Sequence, residues 1–247
     1  MSDDPTHWEP FMAPGVPVVA VDPNGVVALY KPCGIMSMPN RLGRCRRALL
    51  NLDYDPTQRC YQNNREKFFL LNRLDTPTSG IVLGCTSLPV AKAIRQAFAA
   101  GHVRKEYRAL VLYRSLSQQG VFRDVLQKQW LKGCVRSRRV EPKLHLQGTL
   151  AITRYTLVRT ISLGSDLPIL AIYQLQPITG RTHQLRVQCA LRQMPIIGDQ
   201  TYGDFKLNRQ LASILGKRLY LQSCAIDLEY RYQGRSFQFS ARVPYEF

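Results

Sequence analysis

The stretch FLLNRLDTPTSGIVLGCTS, residues 69–87, sets one carboxylate, Asp75, two positions after Arg73 and between two apolar runs. The runs, rich in Phe, Leu, Ile and Val and bounded by turn residues, predict two strands. Aspartate is depleted in strand interiors, and a carboxylate near a core is costly unless it is paired. Thr76-Pro77-Thr78-Ser79-Gly80 supplies turn chemistry, so on local grounds alone Asp75 opens a turn. The rest of the chain gives that acid a second role to fill.

The charge balance is the first sign of it. Among 247 residues, 34 Lys and Arg face 17 Asp and Glu, a formal net charge of +17. Such a surplus predicts binding to polyanions through phosphate contacts and counterion release. No long basic amphipathic helix or apolar membrane span competes with nucleic acid as the partner. Seven cysteines without a CxxC pair argue for reduced thiols rather than a disulfide framework or a zinc ribbon. Four histidines without a ligand-like pair predict no metal. The N-terminus MSDDPTHWEPF has neither secretory nor transit character. A soluble intracellular protein is expected, in cytoplasm, nucleus or mitochondrion.

Along the chain, residues 1–16 read as a Pro-rich arm. Asn24-Gly25 between β-branched runs is a hairpin signal. Residues 40–66 read mostly as loop with one short helix, and LPVAKAIRQAFAAG as a helix with Val90, Ile94, Ala97 and Phe98 on one face and Gly101 past its end. VRKEYRALVLY reads as a strand, as do TLAITRYTLVRTI and PILAIYQLQPI; residues 115–148 form a basic insert with one Trp. THQLRVQCALRQ reads as a helix with Thr182 as N-cap, and the C-terminal segment as a hairpin around Gln233-Gly234. The expected fold class is α+β, with a mainly antiparallel, mixed sheet and flanking helices.

Two further polar clusters stand out. TGRTHQLR, residues 179–186, crowds Arg181, His183, Gln184 and Arg186 at a helix start, and two buried arginines would need anionic partners. PIIGDQTYGD frames Asp199 and Tyr202 between Gly198 and Gly203.

In order, ALYKPCGIMSMP, NRLDTPTSGIVL, VRKEYRALV, GTLAITRYTLV, TGRTHQLRVQCALRQMPIIGDQTYG and RLYLQSCAIDLEY resemble the successive motifs of the RluA-type pseudouridine synthases. The resemblance covers residues 17–247 and implies a catalytic domain of that length built on a pseudouridine synthase-like fold. It implies conversion of uridine to pseudouridine in a structured RNA, rRNA or tRNA, without cofactor or metal. By the same resemblance the catalytic Asp falls on Asp75, the active-site Tyr on Tyr107 and the basic partner of the acid on Arg186. Arg73 would fill the gap left in the RNA stack by the flipped base. These roles suit the chemistry: a carboxylate acts as nucleophile or electrostatic stabiliser, an arginine keeps it ionised, and a tyrosine offers a flat face and a phenol.

Ile178 and Leu185 are candidates for apolar walls around the detached uracil. His183 is expected to hydrogen-bond beside the cleft, with Arg181 nearby. Asn72 and Gln188 depart from residues frequent in the family, with no catalytic consequence expected. Cys85 and Cys189 are read as small core residues, and Trp130 as partly buried or stacked on a base. With about 16 residues before the first motif, no upstream RNA-binding module is expected. Phosphate contacts are therefore assigned to Arg44, Arg46, Arg47, Lys128, Lys132, Arg136, Arg138 and Arg139. A ribosomal particle or assembly protein is the further partner considered. The alternatives are a catalytically silent RNA-binding homologue that assists ribosome assembly, and a hydrolase, which would need a second acid to activate water.

Overall fold

The structure, a computed structural model, describes residues 11–39, 43–45, 47–63, 66–131, 134–140 and 148–247. The N-terminal part holds β1 (Val18–Val21), β2 (Val26–Lys31), β3 (Gly43–Arg44), β4 (Asp53–Asp55), β5 (Cys60–Gln62), β6 (Lys67–Leu70) and β7 (Ser79–Cys85). Next come α1 (Leu88–Ala100), β8 (Val103–Leu112), β9 (Gln119–Leu131), β10 (Cys134–Arg139), β11 (Thr149–Ile161) and β12 (Leu170–Pro177). Then follow α2 (Gln184–Leu191), α3 (Phe205–Leu215), β13 (Leu221–Tyr232) and β14 (Arg235–Arg242). Strand-rich segments with three helices match the expected α+β class. The chain divides into two compact units, one running to Arg104 and including Ser223–Tyr245, the other Lys105–Gln222 with Glu246–Phe247.

In the first unit, β2 pairs antiparallel with both β1 and β7, and β3 to β7 follow one another as antiparallel neighbours. The β1–β2 hairpin forms at Asn24-Gly25, where Gly25 has φ 77° and Asp22 Oδ1 accepts from the amides of Asn24 and Val26. α1 lays Val90, Ala91, Ile94 and Ala97 on a cluster with Ile81, Leu83 and Ile226, and Gly101 ends it in the left-handed region. Each fully buried aliphatic side chain contributes about 1.5–3 kcal/mol. β7 needs its glycines: a Cβ on Gly80 would lie 2.2 Å from the carbonyl oxygen of Ser223, and one on Gly84 2.0 Å from the Phe68 ring.

Residues 40–66 differ from expectation. Their described part holds three short strands and no helix, organised around Tyr54 and Tyr61, whose rings meet edge to face at 4.9 Å. Two- and three-residue strands are too short to display a period, so charge and turn residues dominate the pattern. Arg46 lies outside the described residues.

In the second unit the strand order is β10-β9-β11-β12-β8, all antiparallel. The basic insert is thus largely a hairpin, β9 and β10, attached to β11; its Lys132 lies outside the described residues. α2 packs Leu185 and Cys189 onto Ala109, Val111, Tyr173 and Leu175, with Tyr107 against the same cluster. α3, absent from the expected elements, buries Leu207 and Leu211 against Leu110, Leu112 and Ile172 and is capped by Asp204, which accepts from Leu207 N at 2.9 Å. Cys85 and Cys189 are buried, and burial pushes both thiols up to about 12. Among the described residues no helix is long and apolar enough to cross a membrane.

Candidate active site

In the first unit, Asp75 sits on the irregular segment 71–75 between β6 and β7 and is partly buried. Its carbonyl accepts from Thr78 N at 3.0 Å, so it does open a turn. Both of its neighbours are tied down. Ser37 Oγ donates to Leu74 O and accepts from Leu74 N, each at 3.1 Å. Tyr61 OH in turn donates to Ser37 O at 2.8 Å. On the other side, Thr76 O accepts from Gly34 N at 2.9 Å and from Lys31 Nζ at 3.1 Å. Lys31 also donates to Ile35 O at 2.7 Å and Pro32 O at 3.0 Å. It is fully buried, and burial pushes its ammonium down to about 8 against the opposing pull of Cys33 and Asp75. Asn72 Oδ1 accepts from Leu83 N at 2.6 Å, anchoring the segment to β7. Arg73 is exposed. Sequence reasoning missed Lys31, Ser37 and this use of Asn72. A lysine beside proline and glycine in a turn resembles any solvated lysine, and only its burial marks it.

The second unit holds the other predicted residues. Arg186, 4% exposed, sits in the first turn of α2. Its Nε and Nη2 donate to Asp199 Oδ2 and Oδ1, both at 2.8 Å. Asp199 Oδ1 also accepts from the amides of Thr201 (2.8 Å) and Tyr202 (3.0 Å). Burial pushes the Asp199 carboxyl upward, but Arg186 and these amides outweigh it and hold it below the usual carboxylate range. The guanidinium also faces the Tyr202 ring, 5.3 Å from its centre. Asp199 is the anion that fixes Arg186.

The helix begins differently from expectation. Thr182 is not the N-cap: His183 holds that place at φ 53°, without a side-chain cap. Gln184, first in the helix, instead ties down the segment before it, its Oε1 accepting from Arg181 N at 3.0 Å and Thr179 Oγ1 at 2.7 Å. Its Nε2 donates to Ile152 O and Thr153 Oγ1. The buried network runs on through Gln188 to Asp124, which Arg192 also reaches at 3.0 Å. Gln188 is therefore a structural joint between α2, β9 and β11.

Tyr202 couples this region to the basic hairpin. Its hydroxyl accepts from Ser137 N at 2.8 Å and lies 2.9 Å from His183 Nδ1, while Ser137 Oγ donates to Thr182 O at 2.7 Å. Ser137 is buried in β10, and its neighbours Arg136, Arg138 and Arg139 are exposed. Arg136, Arg138 and Arg139 thus sit on a strand tied to the start of α2. Trp130 is 71% exposed, with Lys128 Nζ 5.6 Å from its ring centre, so the partial burial expected for it does not occur. Arg181 is exposed and its Nε donates to Leu150 O at 3.0 Å. Tyr107 is partly buried opposite Leu175, Leu185 lies in the core, and Ile178 is 55% exposed.

The chain is similar to a ribosomal large subunit pseudouridine synthase C of Rickettsia bellii, 28% identical across 90% of this chain. It spans 66% of that relative's length. It is 28% identical to a tRNA pseudouridine synthase C of Yersinia pestis, covering 88% of this chain and 82% of the relative. Among solved structures, human RNA pseudouridylate synthase domain containing 1 superposes with a TM-score of 0.68 at 18% identity, covering 93% of this chain and 83% of that one. The domain containing 4 protein gives 0.62 at 20% identity, covering 92% and 88%. These two share the fold. The RNA pseudouridylate synthase model matches residues 25–191, from the first hairpin through the end of α2 and across both Asp75 and Arg186, and on that match the chain belongs to the RNA pseudouridylate synthase family.

Proposed function

We propose that this chain isomerises uridine to pseudouridine in a structured RNA, rRNA or tRNA, the substrates for which its relatives are named. The observation that carries the proposal is the preorganised acid. Asp75 stands on irregular backbone whose neighbours on both sides are held by Ser37, Gly34 and the buried Lys31. A reacting group needs such support, because productive geometry must be held to about 0.5 Å.

The reaction breaks the bond from C1′ to N1 of uracil and forms one from C1′ to C5; C5 loses a proton and N1 gains one. Atoms and electrons balance without an oxidant or reductant. Asp75 acts at the sugar or base as nucleophile or stabilising charge. Arg186 takes the role of the basic site residue, its guanidinium plane fixed by Asp199. Tyr107 stacks on the extruded base and handles the proton, supported by the core that includes Leu185, and Ile178 closes the apolar side. Arg73 occupies the vacated position in the RNA stack. Arg136, Arg138 and Arg139 hold phosphates, while Arg181 and His183 border the nucleotide. A silent homologue would retain the basic hairpin, but would have no use for an acid on a segment so firmly held.

RNA from cells lacking the chain, incubated with the purified chain and mapped for pseudouridine, should gain the modification at defined uridines. Binding without any gain would favour the silent homologue.

A further inference from the structure

β8 carries a second polar side chain on the face that bears Tyr107. Residues two apart on a strand share a face, so Lys105 lies beside Tyr107, about 7 Å along the strand. Beyond it stands the turn that follows β12. A side chain built on Gly180 would begin 3.6 Å from Lys105 Nζ. The φ of Gly180 is not in the left-handed region, so the backbone does not demand glycine there. What the glycine does is leave open the space in front of the ammonium.

Lys105 is partly buried and makes no hydrogen bond or ion pair with any described residue. Glu106, its neighbour on the opposite face, is taken by Arg108 at 2.8 Å and Gln174 at 2.9 Å. Burial lowers the Lys105 ammonium from its ordinary value, and no nearby carboxylate offsets this. A desolvated cation without an acceptor is costly to keep. The cost is recovered when an anion enters.

We propose that Lys105 and the open turn at Thr179-Gly180 form a binding site for one phosphodiester of the RNA strand, next to the nucleotide that stacks on Tyr107. This rests on the pseudouridine synthase reading above and adds a residue to it. The separation between Lys105 and Tyr107 is comparable to that between a nucleotide's base and its own phosphate. Lys105 would thus register the flipped nucleotide by its backbone while Tyr107 takes its base. A phosphate keeps its charge through the reaction, so the contact is equally strong in ground and transition states. It acts on KM rather than kcat.

The test uses the full chain and an RNA that the wild type modifies, with binding and turnover measured over a range of salt. Lys105→Met should weaken binding about tenfold at moderate salt and reduce the slope of log affinity on log salt by about 0.7–0.9. KM should rise while kcat is kept, and the melting temperature should hold or increase, because an unpaired buried cation is gone. Lys105→Arg should retain most of the slope. In the unmodified chain, RNA should protect Lys105 from acetylation by an amine-directed reagent, read by peptide mass spectrometry; this arm needs no variant to fold. An unchanged salt slope, no protection by RNA, or a loss confined to kcat would each overturn the assignment. If the wild type neither binds nor modifies any RNA, the enzymatic reading itself fails, an outcome separate from these.

Discussion

Two charged side chains are buried on opposite terms, and they predict opposite behaviour. Lys31 is a cation held by three carbonyls, and its folded value of about 8 lies below the ordinary 10.5. Between those values the unfolded chain binds more protons, so stability should rise with pH across that window, the full cost being felt below it. The difference amounts to about 2–3 kcal/mol between pH 7 and pH 10. Urea melts of the wild type should show that gain relative to Lys31→Met, whose slope in this window should be flatter. Equal slopes would mean that Lys31 is not the group titrating. Arg186, by contrast, is paired with Asp199 inside the protein. Asp199→Asn removes the bidentate carboxylate from a buried guanidinium, and should cost about 3–5 kcal/mol in unfolding free energy. A melting temperature near wild type would show that another group neutralises Arg186.

At the scale of elements, the clamp between β10 and the start of α2 is the feature most open to test. Tyr202→Phe removes the acceptor of Ser137 N and the partner of His183 Nδ1. Amide exchange in residues 135–139 should speed up by about tenfold or more, since an orphaned buried donor costs about 1–3 kcal/mol. Exchange in α1, in the other unit, should be unaffected. Unchanged exchange in β10 would show that the hairpin is held by its strand pairing alone.

Legibility in the sequence followed length and local signals. α1 was readable because thirteen residues repeat one apolar face and end at Gly101. The two hairpins were readable from Asn24-Gly25 and Gln233-Gly234, whose glycines take positive φ. The strands around Tyr54 and Tyr61 were not, being too short for a period to show. α3 has a short signal of its own: Asp204 as cap, Leu207 and Leu211 one turn apart, and Gly216 at the end. At the site, the motif residues were legible through the family resemblance. Their supports, Lys31, Ser37 and Gln184, were not. Long-range hydrogen bonds such as Ser37 to Leu74 leave no mark in local pattern.

For the molecule as a whole, a net charge of +17 makes salt the natural probe. Log affinity for RNA should fall steeply with log salt, and Arg136, Arg138 and Arg139 changed together to Ala should reduce the slope by about 2–3 in total, at about 0.7–0.9 per phosphate contact. The loss should be similar for many RNAs, because phosphate contacts position without reading sequence. An unchanged slope would assign the hairpin to a protein partner. In the proposed function the acid on the fixed segment performs the chemistry. Pseudouridine mapping in cells lacking the chain, complemented with the wild type or with Asp75→Asn, tests it most directly. At least one uridine should lose its modification without the chain and regain it with the wild type. It should stay unmodified with Asp75→Asn at equal protein level and near-native melting temperature; restoration by that variant would contradict the account.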